Sequence, residues 1–147
     1  MTTLATIHPR YARIELPMLP PSVNHYVAHG VVTNRRTGEQ RNFHGKTAAA
    51  KQFAKDFGIF VRGAYVVSPS GRFQVTLEYW PAPGMRGDAD NFNKMPLDCA
   101  AKAGMFRNTK GEELSDAWVK RLVIEIHDSK EERQLGPKTL ITIEGMG

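Results

Sequence analysis

The sequence predicts an α+β fold in which a mixed sheet of about four strands is covered by two main helices. Four segments have the apolar pattern of strands and two have apolar residues at helical spacing, in the order strand, helix, strand, helix, strand, strand. The chain has 147 residues, of which 41% are hydrophobic, and this suits a single domain over residues 1–147. We find no internal repeat and no linker that would divide it.

The N-terminal third predicts one strand followed by irregular segments. Residues 12–16 place Ile14 and Leu16 on one face of a short strand, which the prolines from Pro17 onward end. Residues 21–26 predict an ordered loop. Residues 29–45, rich in glycine and asparagine, predict a loop or irregular hairpin with an arginine-rich tip.

A helix and a strand follow, each with a clear period. Residues 46–62 predict a helix with Ala49, Phe53, Phe57 and Phe60 on one face, and we assign these phenylalanines to the core. Residues 73–80 alternate strictly between apolar and polar side chains, which is typical of a half-buried strand.

The second half predicts a helix and two further strands. The helix covers about 91–103 and ends at Gly104, where a C′ glycine is expected. Pro96 fits only the first turn of a helix, so the regular helix is expected to begin nearer Asn93 or Lys94. Residues 119–126 and 138–144 predict the last two strands.

Composition excludes several classes of protein. The single cysteine, Cys99, lies among apolar residues, permits no intramolecular disulfide and is expected to be buried. One cysteine also excludes a zinc-finger site. No apolar run approaches the ~20 residues that span a bilayer, and the N-terminus lacks the apolar core of a signal peptide. We therefore expect a soluble cytoplasmic protein without a membrane partner.

The charge distribution favours a polyanionic partner. The net charge is +5; residues 1–80 carry ten Lys and Arg against four Asp and Glu, and residues 81–147 carry ten against eleven. A basic half beside an acidic cluster is what a metal-dependent enzyme acting on nucleic acid needs. The alternative is that the charge serves solubility alone.

Asp88 and Asp90 are the most informative residues. They are separated by one residue, Ala89, and therefore project to the same side of an extended backbone. At about 4 Å two such charges repel by roughly 4 kcal/mol at an effective dielectric of about 20, so a divalent cation between them is the natural partner. Lys94 adds a positive charge that suits a phosphate. The alternative is a solvated turn before a helix, with Asp90 as the N-cap.

The segment with Asp88, Asp90, Asn91 and Lys94, followed by a helix that ends at Gly104, resembles the RusA family of Holliday junction resolvases. In that family an Asp-x-Asp-Asn-x-x-Lys motif opens a helix that ends in Ala-Gly, and a further aspartate precedes a strand. The loop 20–26 and the helix 46–62 are also similar to the family pattern. The resemblance spans about residues 12–144.

The resemblance implies a small homodimeric, Mg²⁺-dependent endonuclease that cuts four-way DNA junctions with paired symmetric nicks, in DNA recombination and repair. Family members are often encoded in prophages. By resemblance, Asp88, Asp90 and Asp116 would hold the metal. Lys94 would be the catalytic or the phosphate-contacting cation, and Asn91 would support the site.

The third carboxylate departs from the family pattern. The family usually has two adjacent acidic residues where this chain has Ser115 and Asp116, and the segment between Gly104 and Asp116 is longer than usual. Glu112 or Glu113 is therefore an alternative ligand. We favour Asp116, because the strand that begins at Val119 fixes it near the end of the sheet.

Several basic residues are candidates for contact with DNA phosphates: Arg35, Arg36, Arg41, Lys46 and Arg86. Three other functions remain open. The chain could be a nuclease of other branched DNA, such as flaps and forks, or a structure-specific DNA-binding protein without catalysis. A phosphotransferase for small molecules is disfavoured, because no phosphate-binding glycine loop has the required spacing.

Overall fold

The computed structural model describes residues 9–21, 27–85 and 94–147, and for residues 27–33, 41–46 and 94 it describes the backbone alone. The elements in chain order are β1 (Tyr11–Leu16), β2 (Val27–Thr33), β3 (Gln40–Lys46), α1 (Ala48–Phe60), β4 (Val66–Val67), β5 (Arg72–Trp80), α2 (Lys94–Lys102), β6 (Phe106–Arg107), β7 (Val119–Ile126), α3 (Lys130–Arg133) and β8 (Lys138–Met146). A turn of 3-10 helix, Asp116–Trp118, directly precedes β7.

One four-stranded sheet organises the molecule, in the order β1-β8-β5-β7. β8 pairs antiparallel with both β1 and β5, whereas β7 pairs parallel with β5. The predicted α+β fold with a mixed sheet of four strands is therefore confirmed.

The central strand β5 divides its side chains between two environments. Phe73, Val75, Leu77 and Tyr79 are at most 1% exposed and form the centre of the core beneath α1 and α2. The alternate residues of β5, among them Glu78, are half-buried on the opposite face. Burial of each large apolar side chain stabilises the fold by about 1.5–3 kcal/mol, so the alternation fixes which face carries the helices. The strand 73–80 is thus confirmed in extent and in period.

Helix α1 begins after Thr47, whose hydroxyl accepts a hydrogen bond from the Ala50 N–H at 3.2 Å. Phe53 and Phe57 pack in the core as expected. Phe60 is 48% exposed, so its assignment to the core was wrong. The buried face of the helix is centred on Ala50, Phe53 and Phe57, and Phe60 falls at the edge of this face in the last turn.

Helix α2 begins at Lys94 and has Pro96 in its first turn, as the sequence predicts. Gly104 follows the helix with φ of +73°, a backbone conformation that glycine adopts without strain, and its N–H donates to the Ala101 carbonyl. Cys99 is buried in the core, again as expected.

The segment predicted as a loop or irregular hairpin is a regular antiparallel hairpin. β2 and β3 pair from Val27 opposite Lys46 to Thr33 opposite Gln40. In the turn between them the Asn34 N–H donates to the Glu39 carbonyl at 2.7 Å. The hairpin is a separate two-stranded sheet, outside the four-stranded one.

The helices are short. α1 has 13 residues and α2 has 9, against the ~20 that a bilayer requires. No helix in the described ranges is both long and apolar enough to cross a membrane.

Candidate functional site

The acidic motif lies between β5 and α2. Arg86, Asp88, Asp90 and Asn91 are outside the described residues, as is the side chain of Lys94. The structure describes both flanks of the motif, namely the end of β5 with residues 81–85 on one side and the backbone of α2 on the other. The roles predicted for these five residues, with Asp88 and Asp90 as metal ligands, therefore remain predictions.

Asp116 occupies the 3-10 turn that leads into β7. The Ser115 hydroxyl caps this turn by accepting from the Ala117 N–H at 3.3 Å, and the Val119 N–H donates to the Asp116 carbonyl. The Asp116 side chain is half-buried, and its carboxylate has no hydrogen-bond or ion-pair partner among the residues that the structure describes.

The turn that carries Asp116 packs against α2, the helix that the acidic motif opens. α2 has 9 residues and is therefore about 13 Å long. The backbone of Lys94 consequently lies within about one helix length of the point where the turn meets α2. Lys94 and Asp116, which are distant in sequence, thus belong to two elements that are in contact, α2 and the 3-10 turn.

The alternative ligands Glu112 and Glu113 lie elsewhere. The Glu113 carboxylate lies against Gly104, at the opposite end of α2 from Lys94. Glu112 is exposed in the turn after β6, where its N–H donates to the Asn108 side chain at 3.0 Å. The choice of Asp116 over Glu112 and Glu113 as the third ligand remains a prediction.

Asp116 has an aromatic and a basic neighbour. Trp118, in the same turn, is 44% exposed. The Lys120 Nζ lies 5.6 Å from the centroid of the Trp118 ring and donates to the Ala117 carbonyl at 2.9 Å. An exposed indole with a cation above it suits contact with both a nucleic-acid base and a phosphate.

The predicted DNA-contacting arginines are described in part. Arg35 and Arg36 are exposed in the turn of the β2–β3 hairpin. Arg41 and Lys46 lie on β3, but their side chains, like the whole of Arg86, are outside the described residues.

A second cluster of charged side chains lies where β5 and β7 end, and the sequence reasoning missed it. Glu78 pairs with Glu125 in the parallel register of β5 and β7, and His127 directly follows β7. The His127 Nε2 lies 3.1 Å from Glu78 Oε1 and 3.8 Å from Glu125 Oε2. The His127 Nδ1 lies 2.7 Å from Glu132 Oε2 of α3. Glu78, Glu125 and His127 could together hold a metal ion.

The carboxylates perturb the titration of His127. Burial lowers the pKa of His127, but hydrogen bonds to Glu78 and Glu132 and the charges of both carboxylates outweigh burial, so the pKa lies above 6.5. Hydrogen bonds from Ser129 and His127 lower the pKa of Glu132 in turn. The imidazole ring stacks on Trp80 with a centroid distance of 4.2 Å and an interplanar angle of 16°, which fixes its orientation.

Helix α3 also anchors the start of the segment that leads to the acidic motif. Arg133 Nη1 donates to the carbonyls of Ala82 and Met85 at 3.1 and 2.6 Å, and its Nε donates to the Asp128 carbonyl at 2.9 Å. Residues 82–85 are thereby held to α3, immediately before the segment that contains Asp88.

Neither a scan against protein-family models nor a comparison with curated proteins finds a match to this chain.

Proposed function

We propose that this protein is a Mg²⁺-dependent endonuclease that resolves four-way DNA junctions as a homodimer in the cytoplasm. The observation that carries the proposal is the contact between the turn of Asp116 and α2. α2 begins at Lys94, shortly after Asp88 and Asp90 in the sequence, so the turn that carries Asp116 contacts the helix that the other two predicted carboxylates precede.

The residues fit a hard divalent cation. The Asp116 carboxylate is partly accessible and makes no ion pair within the described ranges, and carboxylate oxygens are the protein ligands that Mg²⁺ prefers. Asp88, Asp90 and Asp116 would hold the ion. When bound, Mg²⁺ would make an attacking water more acidic and offset the charge that develops on the phosphate.

The chain itself supplies the groups that attract and position DNA. Three carboxylates alone would repel a phosphate, and Lys94 next to the motif offsets part of that charge. Lys120 and Trp118 lie beside Asp116, where a phosphate and an unstacked base can contact them. Arg35 and Arg36 at the hairpin tip are exposed cations suited to contact with the phosphate backbone.

A dimer explains the form of the expected product. A four-way junction has near two-fold symmetry, and an isologous dimer presents two identical sites to opposite strands. Each subunit would then cut one strand, and the paired nicks would leave ends suited to ligation.

The proposal is tested with a labelled four-way junction, a flap and a linear duplex, each incubated with and without Mg²⁺. The variants are Asp90→Asn, Asp116→Asn and, as a matched control, Asp128→Asn, which changes an exposed carboxylate beyond the other end of β7. We expect Mg²⁺-dependent cleavage of the junction by the native chain and by Asp128→Asn. Asp90→Asn and Asp116→Asn should lose cleavage by at least about 100-fold while still binding the junction.

Three outcomes would contradict the proposal. Equal cleavage of linear duplex would exclude a resolvase, and cleavage of the flap alone would assign the chain to other branched DNA. Junction binding with no cleavage by the native chain at any Mg²⁺ concentration would identify a non-catalytic DNA-binding protein.

A further inference from the structure

We propose that Glu78, Glu125 and His127 form a second metal site, separate from the acidic motif, which binds one divalent cation of intermediate hardness, Zn²⁺ most tightly. The three side chains come from β5, from β7 and from the residue after β7. Their ligand atoms, one from each residue, all lie within 4.8 Å of one another.

The strand register places like charges side by side at this site. Glu78 and Glu125 are partners in the parallel β5–β7 ladder and lie on the same face of the sheet, opposite the helices. Adjacent strands are about 4.8 Å apart, so two carboxylates in this arrangement repel each other unless a positive charge lies between them. Glu132 adds a third carboxylate within 2.7 Å of His127.

Among the residues that the structure describes, no Lys or Arg side chain forms an ion pair with this cluster. Lys138 pairs with Glu15 at 3.4 Å and lies 4.4 Å from the centroid of the Trp80 ring. The Arg133 guanidinium donates to backbone carbonyls. When His127 is neutral, the three carboxylates carry a charge of about −3, and a bound dication would reduce that charge to about −1.

The distances match a small metal ion. Zn²⁺ binds imidazole nitrogen and carboxylate oxygen at about 2.0–2.2 Å, so ligand atoms in a tetrahedral site are about 3.3–3.6 Å apart. The His127 Nε2 is 3.1 Å from Glu78 Oε1 and 3.8 Å from Glu125 Oε2. These two distances differ from the tetrahedral spacing by a few tenths of an ångström, the Glu78 and Glu125 ligand atoms lie within 4.8 Å of each other, and the fourth position is left to water.

The histidine is oriented as a metal ligand requires. Its Nδ1 faces Glu132, so that in the neutral tautomer Nδ1–H donates to the carboxylate and Nε2 presents its lone pair to the metal. Stacking on Trp80 holds the ring in that plane. Imidazole with two carboxylates favours Zn²⁺ over Mg²⁺, because nitrogen is a poor ligand for Mg²⁺.

A cation here would link β5 and β7 directly and α3 through Glu132. β5 ends at Trp80, which stacks on His127. Residues 82–85 follow it and are bound by the hydrogen bonds from Arg133 to the carbonyls of Ala82 and Met85. A metal ion at this site would therefore restrict the motion of residues 82–85, which lead to Asp88. The proposal of this metal site does not depend on the function proposed for the acidic motif.

Zn²⁺ titration of the full chain by calorimetry tests the proposal, with Co²⁺ as a spectroscopic probe of nitrogen and oxygen ligation. The titration is made in an Asp90→Asn background, so that binding at the acidic motif is weakened. The variants are His127→Asn, Glu125→Gln and Glu132→Gln. Glu131→Gln, on the exposed side of the same short helix, is the matched control.

We expect one Zn²⁺ per chain, and binding of Mg²⁺ at least about 100-fold weaker. His127→Asn and Glu125→Gln should abolish the site, and Glu131→Gln should leave it unchanged. Glu132→Gln should weaken Zn²⁺ binding by about 10–100-fold, as loss of a carboxylate behind a ligating histidine does. Gln at this position still completes the capping box of α3, so a weaker affinity cannot be ascribed to loss of the helix cap.

Two results would overturn the proposal. One is the absence of stoichiometric Zn²⁺ binding by the Asp90→Asn chain. The other is unchanged Zn²⁺ affinity in Glu125→Gln, whose side chain is 54% exposed and whose substitution is expected to leave the fold intact, as circular dichroism would verify.

Discussion

Substitution of Arg133 tests whether its hydrogen bonds fix residues 82–85, the segment before the acidic motif. Its guanidinium makes three hydrogen bonds to carbonyl oxygens, those of Ala82, Met85 and Asp128. The perturbation is Arg133→Ala, which removes all three bonds. Lys130→Ala, an exposed residue of the same helix, is the control.

The magnitude follows from the donors and their exposure. A hydrogen bond from a charged donor contributes about 1.5–3 kcal/mol when buried, and about 1 kcal/mol is appropriate here because two of the three bonds are exposed. We therefore expect Arg133→Ala to lower the free energy of unfolding by about 3 kcal/mol and Lys130→Ala by less than about 0.5 kcal/mol. Arg133→Lys should recover at most about a third of the loss, because an ammonium cannot serve three divergent carbonyls at once.

Urea denaturation measures the global effect, and amide hydrogen exchange locates it. The Met85 N–H donates to the same Ala82 carbonyl that Arg133 contacts, so its exchange should accelerate by at least about tenfold in Arg133→Ala. A loss of stability no larger than that of Lys130→Ala, together with unchanged exchange at Met85, would refute the role of Arg133 as the anchor of residues 82–85.

Three further predictions concern the core, a close backbone approach and pH. Leu77→Ala, at a fully buried position of the central strand, should lower the free energy of unfolding by about 3–5 kcal/mol in urea denaturation, and a loss below about 1 kcal/mol would contradict the assigned burial. Gly136→Ala should lower the free energy of unfolding by about 1–3 kcal/mol, because a Cβ at this position would overlap the Trp80 carbonyl oxygen. An unchanged free energy of unfolding would contradict this close contact between the two backbone segments. The third prediction is made with a chelator present. Because the pKa of His127 is raised in the folded state, its contribution to stability is complete below pH 6.5 and declines as the pH rises through the folded-state pKa. Because the pKa of Glu132 is lowered, the contribution of Glu132 to stability declines as the pH falls below 4.5. Stability should therefore fall as the pH is raised from 6.5 in the native chain and fall less in His127→Asn; identical pH profiles would exclude the ion-pair network.

Local patterns made much of the fold predictable. The alternation over 73–80 identified both the extent of β5 and its buried face, because a strand with one face in the core must keep period two. Pro96 and Gly104 located the start and the end of α2, because each residue restricts the backbone in a defined way. The face of α1 was predicted less well, since Phe60 lies at the margin of the buried arc, where hydrophobicity alone does not decide exposure.

The cluster around His127 could not be read from the sequence. Glu78 and Glu125 meet only because β7 is parallel to β5 in one particular register, and strand order and register arise from tertiary packing. Taken singly, each glutamate is an ordinary outward residue of a half-buried strand. The one available signal was His127 following two residues after Glu125, a spacing that places both on one face of an extended segment.

We propose that Asp88, Asp90 and Asp116 share a bound divalent ion, and cleavage of the protein backbone by bound Fe²⁺ tests this most directly. Fe²⁺ with ascorbate generates radicals that cut the chain close to the ion, and the fragments identify the nearby segments. In a His127→Asn background, which removes the proposed second site, we predict cuts both near residues 88–90 and near residues 115–117, which disappear together when Asp90→Asn is added. Cuts near one segment alone, or cuts near Asp116 that persist in Asp90→Asn, would contradict a shared ion.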